Sequence, residues 1–416
     1  MNALTLLRYL FGHAGAIRKV ASSPMAVPVG LLLVFSAAVA RNYDQEWFGG
    51  PPTWLLPPLV VSVISGFWLL LFVSRAWAEE PLRESLHVGG FWGITCSFFG
   101  LFWMTAPIAW LYAIPLERYC DPWTAARGNV WLLAVVSVWR VLLMSRVVSV
   151  ISGWSFARCF GLVLLPASLE AVVFSIAGDS IGQRLMKSMG GLRNSPAEDV
   201  MFAAYNVAAN IALCALLAAL VIRGLFAIWK KPPPSTWAPE IDLKPSRGPW
   251  IFLALVAGLW ACACVVPQSE LKLTHEATLL AKKKDWPGLM TFLSKHRRED
   301  FAPAVTLPPS PWEFHTQRDV PQALRHVTPE SPAWVQEVYL GYMEALISQE
   351  RWYYSQGGYE DTSWLIPAVE NLRGGREMLQ RCKWKLKDAM AEPRRNIADS
   401  REPTALMSEV LNYAAP

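Results

Sequence analysis

Three ionisable side chains stand inside apolar runs long enough to cross a bilayer: Arg140 and Arg146 in residues 130–152, and Glu170 in residues 157–178. Charge in hydrocarbon costs from about 2.5 to more than 10 kcal/mol, so each group needs a partner or a route to the interface. Arg140 is ten residues in from the outer end of its run, and Glu170 is eight residues in from the outer end of the next. In antiparallel neighbours those depths differ by about 3 Å at 1.5 Å per residue, so an intramembrane Arg140–Glu170 ion pair is feasible. Arg146 lies six residues beyond Arg140 on another face, where it can snorkel toward the interface. Such a pair could serve a coupling or substrate site in a transporter, or it could simply join two helices. The structural role is favoured, because one pair is the least that a charged bundle needs.

Amide and small side chains form a second group. Asn206 and Asn210 are four residues apart and share a helix face, beside a stripe of Ala204, Ala208 and Ala212. That combination suits close helix packing with interhelical hydrogen bonds, and less often the lining of a polar cavity. Gly89, Gly93, Ser97, Gly100 and Thr105 repeat the device in residues 88–113, where Pro107 should kink the helix.

No catalytic constellation accompanies these residues. His13 and His87 flank apolar runs, and the other four His lie beyond residue 267, so no Ser-His dyad can form within a run. H-E-x-x-H, G-x-S-x-G, the Walker A pattern and G-x-G-x-x-G are absent. The seven Cys contain no C-x-x-C; Cys262 and Cys264 are two apart and point to different faces. Cys120 and Cys382 fall in regions expected on the outer side, but nothing in the sequence brings them together. Neither a metal nor a cofactor is expected. VVSVISG occurs at 60–66 and again at 147–153, yet the flanks do not align and the repeat is read as chance.

The elements that must position these side chains follow from composition. The chain has 416 residues, 53% apolar and 17% charged, against roughly 25% charged in a soluble domain. Residues 1–266 hold 19 Lys+Arg and 13 Asp+Glu, a net of +6, whereas residues 267–416 hold 19 and 20, a net of −1. This excludes one large soluble enzyme, a disordered chain and a nucleic-acid binder with a basic face. Seven runs reach the roughly 20 residues that a spanning helix needs: about 24–41, 53–76, 88–113, 130–152, 157–178, 201–228 and 249–267. Trp54 and Trp77 bound the second, at the level where aromatic rings favour headgroups. With the N-terminus inside, inner segments carry eleven Lys/Arg and outer loops six, which favours that orientation. An odd span count then places the last domain outside. Ala38-Val39-Ala40 has the small-x-small form of a signal-peptidase site, but the long n-region and apolar run favour a retained first span. Residues 1–23 are expected to form an interfacial amphipathic helix, with Leu4, Leu7, Leu10, Phe11 and Ile17 opposite Arg8 and Lys19. The loop 179–194 has the same character at the outer face.

From residue 268 the pattern is soluble and helical. A helix hairpin breaks at Asp285, which can cap, with Pro287 in the first turn. Leu271, Leu279 and Leu280 should face Leu289, Phe292 and Leu293 across it. Residues 301–332 hold seven Pro and read as an extended linker. A helix from Ser331-Pro332 to about 355 should present Trp334, Val338, Tyr339, Tyr342 and Leu346, and a last helical stretch covers 364–391 with a break at Gly374-Gly375. Trp352, Tyr353, Tyr354 and Tyr359 suit a small core or a ligand surface, and the core is favoured.

Residues 99–119 (FGLFWMTAPIAWLYAIPLERY), 138–150 (VWRVLLMSRVVSV), 40–44 (ARNYD) and 296–301 (HRREDF) resemble a family of multi-pass membrane proteins from planctomycete-type bacteria. The resemblance implies a bacterial inner membrane; it transfers no activity and no catalytic residue. The expected fold is all-α: a polytopic helical bundle of about seven spans over residues 24–267, with a soluble helical domain at 268–416. Two functional readings remain. One is a non-enzymatic envelope component, embedded in the lipid bilayer, whose outer-side domain docks a protein partner. The other is a transporter or channel using Arg140, Glu170, Asn206 and Asn210.

Overall fold

The computed structural model describes residues 3–50, 52–78, 82–120, 122–176, 198–229, 247–302, 306–311, 319–348, 364–391, 410 and 412–413. Within them, side chains are described except at 75–92, 117, 122, 174–176, 198–206, 227–229, 347–348 and 385–391. No strand occurs among the described residues. The fold is an all-α membrane bundle followed by further helices, in two compact units, Met1–Leu271 and Lys272–Pro416.

The first unit begins with α1 (Ala3–Leu10), α2 (Ala14–Ala21), α3 (Ala26–Asn42), α4 (Leu56–Ala78) and α5 (Leu82–Trp103). A 3-10 helix (Ala106–Ala113), α6 (Leu116–Tyr119), α7 (Pro122–Ser152), α8 (Phe156–Ile176), α9 (Glu198–Trp229) and α10 (Gly248–Lys282) follow. Among the described residues six helical segments are long and apolar enough to cross a membrane, and the bent pair α2–α3 makes a seventh if counted as one span. The bend is 108°. It falls at Ser23-Pro24, where the residue before a proline is pushed out of the helical region.

Pro107 acts as expected, by breaking its span. It has no N–H to donate to Trp103, four residues back, and α5 ends at Trp103 before the chain continues as the 3-10 helix. Glycines set the close approach of α3 and α5. A Cβ on Gly100 would stand 2.8 Å from that of Ala26, and one on Gly30 would stand 2.8 Å from that of Trp103.

The single N-terminal amphipathic helix is instead two helices turned at Gly12, whose φ of +72° suits glycine. The expected apolar side is divided between the bundle and the exposed surface. Leu6 and Tyr9 of α1 and Ile17 and Val20 of α2 are buried against α5 and α7, while Leu4, Leu7 and Phe11 stay exposed. Neighbouring helices took the face that could also seat a tyrosine hydroxyl. The loop 179–194 lies outside the described residues.

α9 packs chiefly on α8, through Gly161 beneath Ile222 and the buried Ala212 and Ala219. Its outward side (Val207, Ile211, Leu217, Val221) and that of α10 (Ile251, Leu255, Leu259, Val265) are exposed and apolar. Such surface suits a lipid environment.

The second unit contains α11 (Trp286–Ser294), α12 (Asp319–Leu324), α13 (Ala333–Ser348), α14 (Leu365–Glu370) and α15 (Gly375–Ala391). Asp285 caps α11 by accepting the Gly288 N–H at 2.9 Å. The core differs from the expected pattern. Ala277 and Ala281, rather than the exposed Leu279, face Trp286, Leu289 and Leu293. The described residues of 301–332 are not an extended linker: Phe301, Leu307, Val320, Leu324 and Val327 are core, and α12 lies among them. Pro321 stands in the first turn of α12, where its missing N–H costs nothing. α13 buries Val335, Tyr339, Leu340 and Met343, with Trp334 and Tyr342 at the margin. Gly374, at φ +84°, separates α14 from α15. Trp352, Tyr353, Tyr354 and Tyr359 lie outside the described residues.

Candidate functional site

The charged side chains of the spans are held between helices, each by its own partners. Arg140, on α7, donates from Nε to Thr105 Oγ1 at 3.0 Å, and its guanidinium lies 4.5 Å over the Phe102 ring. The unwound turn between α5 and the 3-10 helix presents that hydroxyl, so the break ahead of Pro107 builds the arginine's seat. Glu170, on α8, accepts a hydrogen bond from Ser65 Oγ of α4. No direct Arg140–Glu170 ion pair forms, although the two groups remain electrostatically coupled. Matching depth brought them close, but the nearer hydroxyls took the contacts.

Around Arg140 the wall is aromatic. Tyr9 is fully buried and donates from its hydroxyl to Leu101 O at 2.5 Å. Tyr112 is electrostatically coupled to Arg140, and the guanidinium of Arg41 stands 4.8 Å over its ring. A guanidinium over an aromatic face gains from the ring quadrupole, more so away from water. Arg41, counted from sequence as an outer-loop cation, belongs to the last turn of α3. Arg146 is exposed and donates from Nε to Gly12 O at 3.3 Å.

Asn210 is exposed on the outward side of α9, near Val207 and Ile211. The side chain of Asn206 lies outside the described residues.

A second polar centre, which the sequence reading missed, ties one end of the bundle together. Gln268 on α10 accepts from the Phe48 N–H at 2.7 Å and donates to Tyr43 O at 3.0 Å and Glu46 O at 2.7 Å. Two residues on, Glu270 pairs with Arg118 at 2.6 Å. Tyr43 donates from its hydroxyl to Ala113 O at 2.6 Å. The chain after α3, the chain after the 3-10 helix and the far end of the last span therefore meet at one end. Arg118 precedes α7 and Arg146 lies near its C-terminus, so the Gly12–Arg146 contact marks the opposite end. A glutamine just past Pro267, at the close of an apolar run, was the only available signal.

In the second unit a shallow groove of about 440 Å³ is lined by Pro287, Met290, Thr291, Ser294, Lys295, His326, Thr328 and Ser331. Among the described residues no cluster of His, Cys, Asp and Glu could hold a metal. Compared with protein-family models, curated proteins and solved structures, the chain matches none.

Proposed function

We propose that the chain is a non-enzymatic component of a bacterial inner membrane, its N-terminus cytoplasmic, whose periplasmic C-terminal domain docks a protein partner. The observation that supports this reading is that the two deepest charges are each held by a hydroxyl of another element. Arg140 is held by Thr105 and Phe102, and Glu170 by Ser65. A conducting or transporting site needs such groups to converge on one path. The orientation rests on the excess of Lys/Arg in the inner segments, and the contacts among residues 43–48, 113–118 and 268–270 support a common side for those three segments. The resemblance to membrane proteins of planctomycete-type bacteria agrees with that location.

The docking role draws on the groove beside α11, whose lining includes Lys295 and His326 together with Met290 and Pro287. A photo-crosslinking residue at Lys295, in the full chain in intact cells, is expected to give a discrete protein adduct. An absence of adducts there and at other groove positions overturns the docking role. Transport is the second reading, favoured by the electrostatic coupling of Arg140 with Glu170. Activity retained when the two charges are exchanged would exclude the pair as a transport site.

The topology has its own test. Thiols introduced by Lys244→Cys and Ser400→Cys should differ in labelling by an impermeant reagent, with only the second accessible from outside. Labelling of both from the same side refutes the arrangement.

A further inference from the structure

The N-terminal helices present a surface that neither the bundle nor the docking role uses. α1 and α2 are not a loose tail. Tyr9 bonds to Leu101 O, Trp139 Nε1 donates to Leu10 O at 3.0 Å, Ser97 Oγ donates to Ala21 O at 3.4 Å, and Arg146 holds Gly12 O. What faces outward from this fixed pair is both apolar and cationic. Leu4, Leu7 and Phe11 are 51%, 53% and 70% exposed, and Arg8, Arg18 and Lys19 are exposed beside them. Arg146 uses only Nε for Gly12, leaving its two NH2 groups without a partner among the described residues. No Asp or Glu occurs before Asp44.

We propose that α1, α2 and Arg146 form a fixed platform for anionic phospholipid headgroups, with Leu4, Leu7 and Phe11 entering the acyl boundary beneath them. Charge complementarity selects the occupant. Four exposed cations on a rigid support, none paired with a carboxylate among the described residues, favour a phosphate-bearing anionic headgroup over a zwitterionic one. The exposed apolar side chains on the same helices favour a bilayer over a soluble anion or an acidic protein. Because the support is already ordered by hydrogen bonds to α5 and α7, binding lipid costs little further ordering. The inference needs only that the chain lies in a membrane; it holds on either leaflet and with or without a docking partner.

The test uses the full chain, reconstituted in nanodiscs of equal phosphatidylglycerol and phosphatidylcholine and released for native mass spectrometry. The wild type should retain phosphatidylglycerol over phosphatidylcholine by at least about threefold, with part of that preference lost for each cation removed. The triple variant Arg8→Gln/Arg18→Gln/Lys19→Gln should approach parity. Its thermal unfolding in phosphatidylcholine alone should match the wild type, since the three side chains are exposed. Arg8→Lys/Arg18→Lys, which keeps the charge, should keep the preference, and 0.5 M salt during reconstitution should weaken it. Equal retention of both lipids by the wild type overturns the proposal. So does a preference that survives the triple substitution, or one lost in the lysine variant.

Discussion

At the scale of single residues, the polar groups that matter are those with several partners. Gln268 satisfies one N–H and two carbonyls of the segment that follows α3, so Gln268→Ala leaves all three without that partner. The expected cost is roughly 2–4 kcal/mol, seen as a lower unfolding midpoint of the full chain in detergent. Glu170→Gln should be nearly silent, because the amide oxygen still accepts from Ser65 while a buried charge is removed; Glu170→Ala should not be silent. A large loss in the glutamine variant would mean that its charge has a role beyond holding Ser65. Gln336 is the counterpart in the second unit. It donates to Pro329 O at 3.0 Å and Ser331 O at 2.7 Å, and accepts from the Arg373 N–H at 2.9 Å. Tyr339 sets a pH limit there. Burial, and then the neighbouring Tyr342 phenol, push its pKa well above the ordinary value. The raised value keeps the folded form protonated, so its contribution is intact below the unfolded pKa of about 10 and is lost as pH rises further. Near-UV circular dichroism of that unit should therefore fall above pH ~10, and Tyr339→Phe should move the alkaline limit upward.

At the scale of elements, the sequence was most legible where one property governed. Apolar runs of spanning length appeared as helices, and Pro107, Asp285 and Gly374 marked ends through local backbone chemistry. Faces were less legible. Ile17, expected on the interfacial side with Leu4 and Leu7, turned into the bundle, and the hairpin at Asp285 buried Ala277 and Ala281 rather than Leu279. Hydrophobicity ranks side chains without saying which neighbour arrives, and a close neighbour prefers alanine to leucine. The same closeness makes Gly100→Val a sensitive substitution. Its Cβ would meet Ala26 at 2.8 Å, and overpacking at the α3–α5 crossing should cost roughly 1–3 kcal/mol. Gly258→Ala on α10, where an added Cβ meets nothing, should change the midpoint little.

At the scale of the whole molecule, the first unit is a bundle whose distant chain segments are bound at one end by polar contacts. Arg118–Glu270 joins positions 152 residues apart. Arg118→Glu or Glu270→Arg alone should destabilise the unit by leaving a half-buried like-charge pair, and the double exchange should recover much of the loss. If the double variant is no better than the singles, the tie resides in Gln268 instead. The second unit is organised separately around Leu289, Leu293, Tyr339 and Leu379. Its proline-rich segment belongs to that core because proline restricts φ without preventing burial.

The sequence by itself determined the class of molecule, the approximate spans, the helix stops and the absence of familiar catalytic motifs, because bilayer thickness and backbone sterics act on local residues alone. It determined that Arg140 and Glu170 needed partners. Only the tertiary structure decided which partners those were. A serine and a threonine from other helices lay nearer than the opposite charge, and no spacing along one chain encodes distances between helices that only packing brings together.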